Sequence, residues 1–158
     1  MECYHSLRTF ARIIHTEFNE RQDMDRALTK TRLDHATETA EDYVEAIAEI
    51  IKANSACRCV DLVNRFSVTN ATVNNTVARL VRDGLVETQP YRPLLLTAKG
   101  RRLAAECKKR HRLVNAFLIA MGVGPEIAAA DSEGIEHHVS KATLEAMRRI
   151  LSSGWPTK

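Results

Sequence analysis

Between Val60 and Thr97 the chain carries a succession of short structural signals whose order few folds can use. Val60, Leu62, Val63 and Phe66 space a short amphipathic helix that ends near Arg65. Ser67, Val68 and Thr69 read as a tight turn, and Thr69 or Asn70 supplies the side-chain oxygen of an N-cap. A second helix from Ala71 to Arg82 turns Val73, Val77, Leu80 and Val81 inward. Asp83-Gly84 stops it, because glycine enters the left-handed conformation that follows a helix without a steric penalty. Leu85–Thr88 and Leu94–Thr97 then read as two strands, joined by the turn Gln89-Pro90-Tyr91-Arg92-Pro93. Helix, turn, helix and hairpin in this order predict a winged helix-turn-helix.

The polar side of the second helix points to double-stranded DNA as the partner. Asn70, Thr72, Asn74, Asn75 and Arg79 lie off the apolar stripe, and side chains of these types reach base edges in a major groove. Thr69, Asn70, Thr72, Asn74 and Asn75 are the candidate DNA face. Arg92, at the tip of the hairpin, would lie beside the phosphate backbone, where a positive charge adds affinity without reading sequence. An ordinary amphipathic helix with a polar outside would share the helix pattern but not the hairpin after it.

Charge distribution favours the same partner. The net charge is +3, yet residues 57–112 carry 12 Lys and Arg against 4 Asp and Glu, while residues 1–56 carry 7 against 11. A basic middle between acidic flanks localises a polyanion contact and leaves other work to the ends. Aromatic residues are only 5% of the chain, which argues against a stacking platform for single-stranded nucleic acid. No apolar run approaches the length that spans a bilayer, and the N-terminus lacks a basic start followed by an apolar stretch, so a cytoplasmic protein without membrane contact is expected. Cys3, Cys57, Cys59 and Cys107 form no CxxC pair and are expected to be free thiols.

The 158 residues suit one domain or two small ones. Residues 1–36 read as an N-terminal extension, partly disordered, in which Leu7, Phe10, Ile13 and Ile14 have helical spacing. Cys3, His5 and His15 in it are expected at the surface. Tyr43, Ile47, Ile50 and Ile51 predict a helix over Thr37–Lys52, which places Asp42 and Glu45 together on one face. Thr97 caps a long helix to Met121, basic in its first half and apolar in its second, and Gly122 and Gly124 end it. Short helices are expected over Pro125–Ala130 and Ser140–Leu151. The expected organisation is mainly α: a winged-helix domain over 37–103 and a small all-helical domain over 104–158. The latter is too small to bury its own apolar surface, which makes a homodimer its natural use.

Glu133-Gly134-Ile135-Glu136-His137-His138 is the string with most chemistry in it. On a helical turn Glu133, Glu136 and His137 stand at i, i+3 and i+4 and point the same way, while His138 lies about 100° round. Oxygen donors with one imidazole suit Mn²⁺ or Fe²⁺. The string is not HExxH, which disfavours a zinc protease, and no catalytic residue is assigned.

With these residues the chain resembles the two-domain manganese transport regulators of the diphtheria toxin repressor family. The resemblance covers residues 40–151 and rests on Glu41-Asp42-Tyr43-Val44-Glu45, the segment Asp61–Gly100, Arg110-His111-Arg112, and Glu133 to Ser140. It implies that Asp42, Glu45, His111, Glu133, Glu136 and His137 surround a pair of metal ions. Spacing alone does not bring residues 90 positions apart together. It further implies a manganese-responsive homodimeric repressor of metal-uptake genes on a palindromic operator, with the metal as co-repressor. Iron-responsive relatives carry softer sulfur ligands at the positions of Asp42 and Glu133, so these carboxylates favour Mn²⁺, with Fe²⁺ or a mixed-metal response as the alternative. Cys107, one turn before His111, reads as a structural thiol. Iron-type relatives also have a third domain, for which no residues follow Lys158. The chain departs from the family at Asn70, Asn75 and Pro93, where Pro, Lys and Gly are common. A winged-helix regulator of an organic ligand and a metallohydrolase are the readings from other classes.

Overall fold

Tyr43, Val44, Ala46 and Ile47 are all buried along one side of the first helix, α1 (residues 34–54), and this stripe sets the position of everything that packs on it. The computed structural model describes residues 34–89 and 92–154. The chain divides into two units, residues 1–39 and 40–158. Of the first, only residues 34–39 are described; the helix-turn-helix, the hairpin and the helices after it all belong to the second. The extension with its Leu7–Ile14 stripe, and Pro90 and Tyr91 of the hairpin turn, lie outside the described residues.

The helix-turn-helix forms with the expected caps and turn, but Val60 and Val81, expected on the inward stripes, are exposed at the edges of the core. Helix α2 (Cys59–Phe66) starts where the Arg58 N–H donates to Asp61 Oδ2 at 2.7 Å, and ends at Ser67, held left-handed at φ 53°. Helix α3 (Asn70–Arg82) is capped by Thr69, whose Oγ1 accepts from the Thr72 N–H at 3.2 Å. Gly84, at φ +68°, takes the left-handed turn expected of it. Leu62, Val73, Val77 and Leu80 are buried with the α1 stripe in one core, and the Tyr43 and Phe66 rings stack with centroids 4.5 Å apart.

The hairpin is shorter than its run of apolar positions suggests. Strand β1 (Val86–Glu87) pairs antiparallel with β2 (Leu95–Leu96), Val86 opposite Leu96 and Glu87 opposite Leu95. Leu85 belongs instead to the end of α3, its N–H donating to Leu80 O, and Thr97 to the cap of the next helix. Leu94 is taken by an unforeseen partner: its N–H donates to Cys57 O at 2.7 Å, so the loop before α2 lies alongside the hairpin.

Helix α4 (Ala98–Ala120) leaves the hairpin under a cap that does two jobs. Thr97 Oγ1 accepts from the Gly100 N–H at 3.0 Å and donates to Gly84 O at 2.7 Å, tying the start of α4 to the end of α3. Thr97→Ala should therefore cost about 1–2 kcal/mol in urea unfolding, the upper part of the range for a lost cap, and Thr97→Ser should restore most of it.

Helices α5 (Pro125–His138) and α6 (Lys141–Ser153) pack against α4. Helix α5 corrects the expected short helix over Pro125–Ala130: it continues to His138. Its buried positions are Ala128, Ser132 and Glu136, spaced four apart, with Ser132 Oγ donating to Ala129 O. A stripe of one small, one hydroxyl and one acidic residue carries no apolar periodicity, which is why the continuation was illegible. Ile119, Met121, Ile127, Ile135 and Leu151 remain exposed on or beside these three helices. No helix among the described residues is long and apolar enough to cross a membrane.

Candidate metal centre and nucleic-acid interface

The extension of α5 puts Glu133, Glu136 and His137 on one continuous helix, and packing on α4 turns Glu136 into the protein, 3% exposed. Helix α1 approaches the same place with Asp42 and Glu45, and α4 with His111. His137 Nε2 lies 3.1 Å from Asp42 Oδ1 and 3.7 Å from Glu136 Oε1. His111 Nδ1 lies 3.4 Å from Glu136 Oε2 and 3.7 Å from Glu133 Oε1. Three helices far apart in sequence thus bring both imidazoles and three of the four expected carboxylates into direct range of one another. Glu45 stands beside them, since the charges it feels include His111 and Glu133. Glu133 is the outermost, its side chain 73% exposed. His138 stays out of the cluster's ion pairs, as its angular position requires.

Among the described residues no three His, Cys, Asp or Glu side chains form a ready cage for an ion. The donors pair with one another instead. Two observations nonetheless fit a cation. Glu136 Oε2 is buried with no hydrogen-bond partner, only the looser approach of His111 Nδ1 at 3.4 Å, which leaves its charge poorly compensated. The set is also four carboxylates and two imidazoles, the donors that hard and borderline divalent ions take.

Electrostatics describe a site under strain without a cation. Burial pushes the Glu136 carboxyl up to about 7, with His137 pulling it back and Glu45 adding to the rise. Burial, then neighbouring Glu49, raises Glu45. For His137 burial favours the neutral ring, but the hydrogen bond to Glu41 and the charges of Asp42 and Glu136 outweigh it and raise the imidazole above its usual value. The sign is the same for both groups. Each holds a proton in the fold more tightly than in the unfolded chain, so folding is favoured at low pH and loses that support as pH rises. For Glu136 the loss runs from the ordinary carboxylate value of 4.5 up to about 7, and for His137 it continues above 6.5. Urea unfolding in the presence of a chelator should show stability falling between about pH 5 and pH 8. A rise over that interval would contradict the burial of Glu136.

Two further residues bear on the site. Glu41, assigned no role of its own from its residue pattern, is buried and accepts from Arg110 Nη2 at 2.5 Å and from His137 Nδ1 at 2.8 Å. Its one signal was position: an acid near Tyr43 and Val44, on the side of α1 that enters the core. Cys107 is fully buried, receives a contact from Arg110 Nη2 at 3.5 Å, and has its thiol pushed up to about 12 by burial, a core thiol as expected. Cys57, Cys59 and Cys107 are free.

The polar face of α3 forms the second surface. Thr69, Asn70, Thr72, Asn74, Asn75 and Arg92 are all exposed. Thr69 and Thr72 hydroxyls lie 2.9 Å apart in the cap, so both are engaged at the start of the helix, whereas Asn70, Asn74 and Asn75 face outward beyond it. Arg79 is partly buried, with its Nε unpartnered.

Comparison with known proteins gives two consecutive domain matches. Residues 35–94 match the N-terminal DNA binding domain of the iron dependent repressors, and residues 97–153 match their metal binding and dimerisation domain. The chain is 42% identical over 130 residues to the transcriptional regulator MntR of Escherichia coli O157:H7, covering 82% of this chain and 83% of that one. It is 36% identical over 115 residues to the HTH-type transcriptional regulator MntR of Listeria monocytogenes, covering 73% and 81%. Among solved structures, the manganese regulator SloR superposes with a TM-score of 0.63 at 27% identity, and the metal-dependent transcriptional regulator MtsR with 0.65 at 25%. Each match covers 72% of this chain and about half, 53%, of the solved one. Two consecutive domain matches, and relatives matched over most of their length, make this chain a member of the iron-dependent repressor family, in the branch of the MntR-like transcriptional regulators.

Proposed function

We propose that the protein is a manganese-responsive, sequence-specific DNA-binding repressor that acts as a cytoplasmic homodimer, with the metal as co-repressor and no catalytic activity. One observation carries the reading: Asp42 on α1, which belongs to the DNA-binding part, meets Glu136 and His137 on α5 around an imidazole, and the buried Glu136 Oε2 accepts no hydrogen bond, with only His111 Nδ1 at 3.4 Å beside it. In this reading residues 37–103 bind DNA and residues 104–158 bind metal and dimerise. Asp42, Glu45, His111, Glu133, Glu136 and His137 would hold two ions per subunit, whose charge would remove the mutual repulsion of the carboxylates. The chain's own residues then have one task, to keep α1, α4 and α5 in a single arrangement. A pair of α3 helices so held meets successive major grooves of a palindrome without a further ordering cost. Asn70, Asn74 and Asn75 would face base edges, Thr69 and Thr72 would set the start of the helix, and Arg92 would meet phosphate. The names of the relatives support manganese, and so does the hardness of Asp42 and Glu133.

The test is an operator gel shift with a metal titration. DNA affinity should rise at least about 100-fold, or about 2.7 kcal/mol, between chelator and saturating Mn²⁺, with Fe²⁺ under anaerobic, reducing conditions giving the smaller response. Equal DNA binding with and without any divalent ion would overturn the reading.

A further inference from the structure

The candidate ligand set leaves Glu41 out, although it is in hydrogen-bond contact with a ligand imidazole. It precedes Asp42 on α1 but lies on the buried side of the helix, 8% exposed. A charge buried to that extent persists only when paired. Glu41 Oε2 has two donors, Arg110 Nη2 at 2.5 Å and His137 Nδ1 at 2.8 Å. An ionised carboxylate only accepts, so Nδ1 carries the hydrogen of that bond. The other ring nitrogen, Nε2, then faces Asp42 Oδ1 at 3.1 Å and Glu136 Oε1 at 3.7 Å.

The ring is therefore gripped from one side and presented to the other. Resting on the metal-sensor reading above, we propose that Glu41, clamped by Arg110, is the positioning residue of the site: it fixes His137 as the Nδ1–H tautomer and turns Nε2 toward the position between Asp42 and Glu136. A carboxylate behind a ligating histidine both orients the ring and strengthens the nitrogen opposite as a donor. Arg110 is needed in turn, because without a cation Glu41 would be a buried charge with one imidazole for company. Its neighbour on α4 is His111, so the bond from Arg110 to Glu41 joins α1 to α4 beside the second imidazole of the cluster. The arrangement makes α1 report on the site through Glu41 as well as through Asp42.

The experiment uses the full chain. Mn²⁺ affinity is measured by competition with a chelator, and the ring nitrogens of His137 are followed by ¹H–¹⁵N NMR in protein loaded with diamagnetic Zn²⁺. Glu41→Gln should lower Mn²⁺ affinity about 10-fold, since the amide still accepts from Nδ1–H without the charge, and Glu41→Leu about 100-fold. The protonated Nδ1 resonance of His137 should shift in the first variant and be lost in the second. Because Glu41→Leu strands a half-buried guanidinium, the double variant Glu41→Leu/Arg110→Met separates misfolding from loss of positioning. It should unfold near the wild-type urea midpoint while keeping the affinity loss. Wild-type affinity and an unchanged His137 resonance in the Glu41 variants, with affinity lost in Glu136→Ala, would overturn the positioning role and leave the metal site standing. Wild-type affinity in Glu136→Ala would overturn the site and the positioning role together.

Discussion

Replacing Glu136 with alanine should abolish metal-dependent operator binding, lowering DNA affinity in saturating Mn²⁺ by at least about 100-fold, or about 2.7 kcal/mol. Glu136 contacts both imidazoles of the proposed set, His111 at 3.4 Å and His137 at 3.7 Å, so it lies where the donors of α1 and α4 meet. The same substitution should leave the metal-free protein as stable as the wild type or more so at pH 8. Its carboxyl is buried with one oxygen lacking a hydrogen bond and is pushed up to about 7, so ionising it at pH 8 opposes folding, and alanine removes that opposition. A side chain kept only for packing would give the reverse pattern, with stability lost and the metal response intact. Urea unfolding in chelator and a gel shift with Mn²⁺ separate the two. An undiminished metal response in the variant would end the metal-sensor reading.

Gly100→Ala should destabilise the chain by about 3 kcal/mol, against the usual sign for that change within a helix. Alanine is normally favoured over glycine in a helix by about 1 kcal/mol. Here a β-carbon would collide with the carbonyl oxygen of Leu85 and stand 3.2 Å from Leu96 Cδ2. The Leu85 oxygen cannot retreat freely, because it accepts the Thr97 N–H at 3.0 Å while Thr97 Oγ1 is bonded to Gly84 O. The strain must be relieved by moving α4 off the hairpin. Since α4 also carries His111, the variant should lose operator affinity even when saturated with metal. Urea unfolding checks the first part, and a gain in stability would show that the backbone at Leu85 yields.

The winged helix was legible because each of its parts is decided locally. Thr69 caps, Gly84 turns, and Val73, Val77 and Leu80 mark a buried face, all from signals spaced within a few turns of chain. The hairpin was legible in kind but not in extent, since Leu85 and Thr97 have the composition of strand residues while their hydrogen bonds go to helix ends. Helix α5 was legible only as far as Ala130, because Ser132 and Glu136 are buried for what they touch and not for their hydrophobicity. Asp42 and Glu45 could be placed on one face of α1, and Glu133, Glu136 and His137 on one turn, from period alone. That the two groups face each other came from resemblance before the fold placed them together.

Glu41 marks the boundary between the two kinds of information. Local sequence determined that α1 is a helix, which of its sides is apolar, and that the chain carries a basic reading head between acidic segments, because these depend on spacing within a few residues. Tertiary structure decided that Glu41 is buried, that Arg110 and His137 share one of its oxygens, and that Glu136 is left with an oxygen that accepts no hydrogen bond. Those outcomes depend on the approach of residues 69 and 96 positions apart, where a difference of about one ångström separates a hydrogen bond from none.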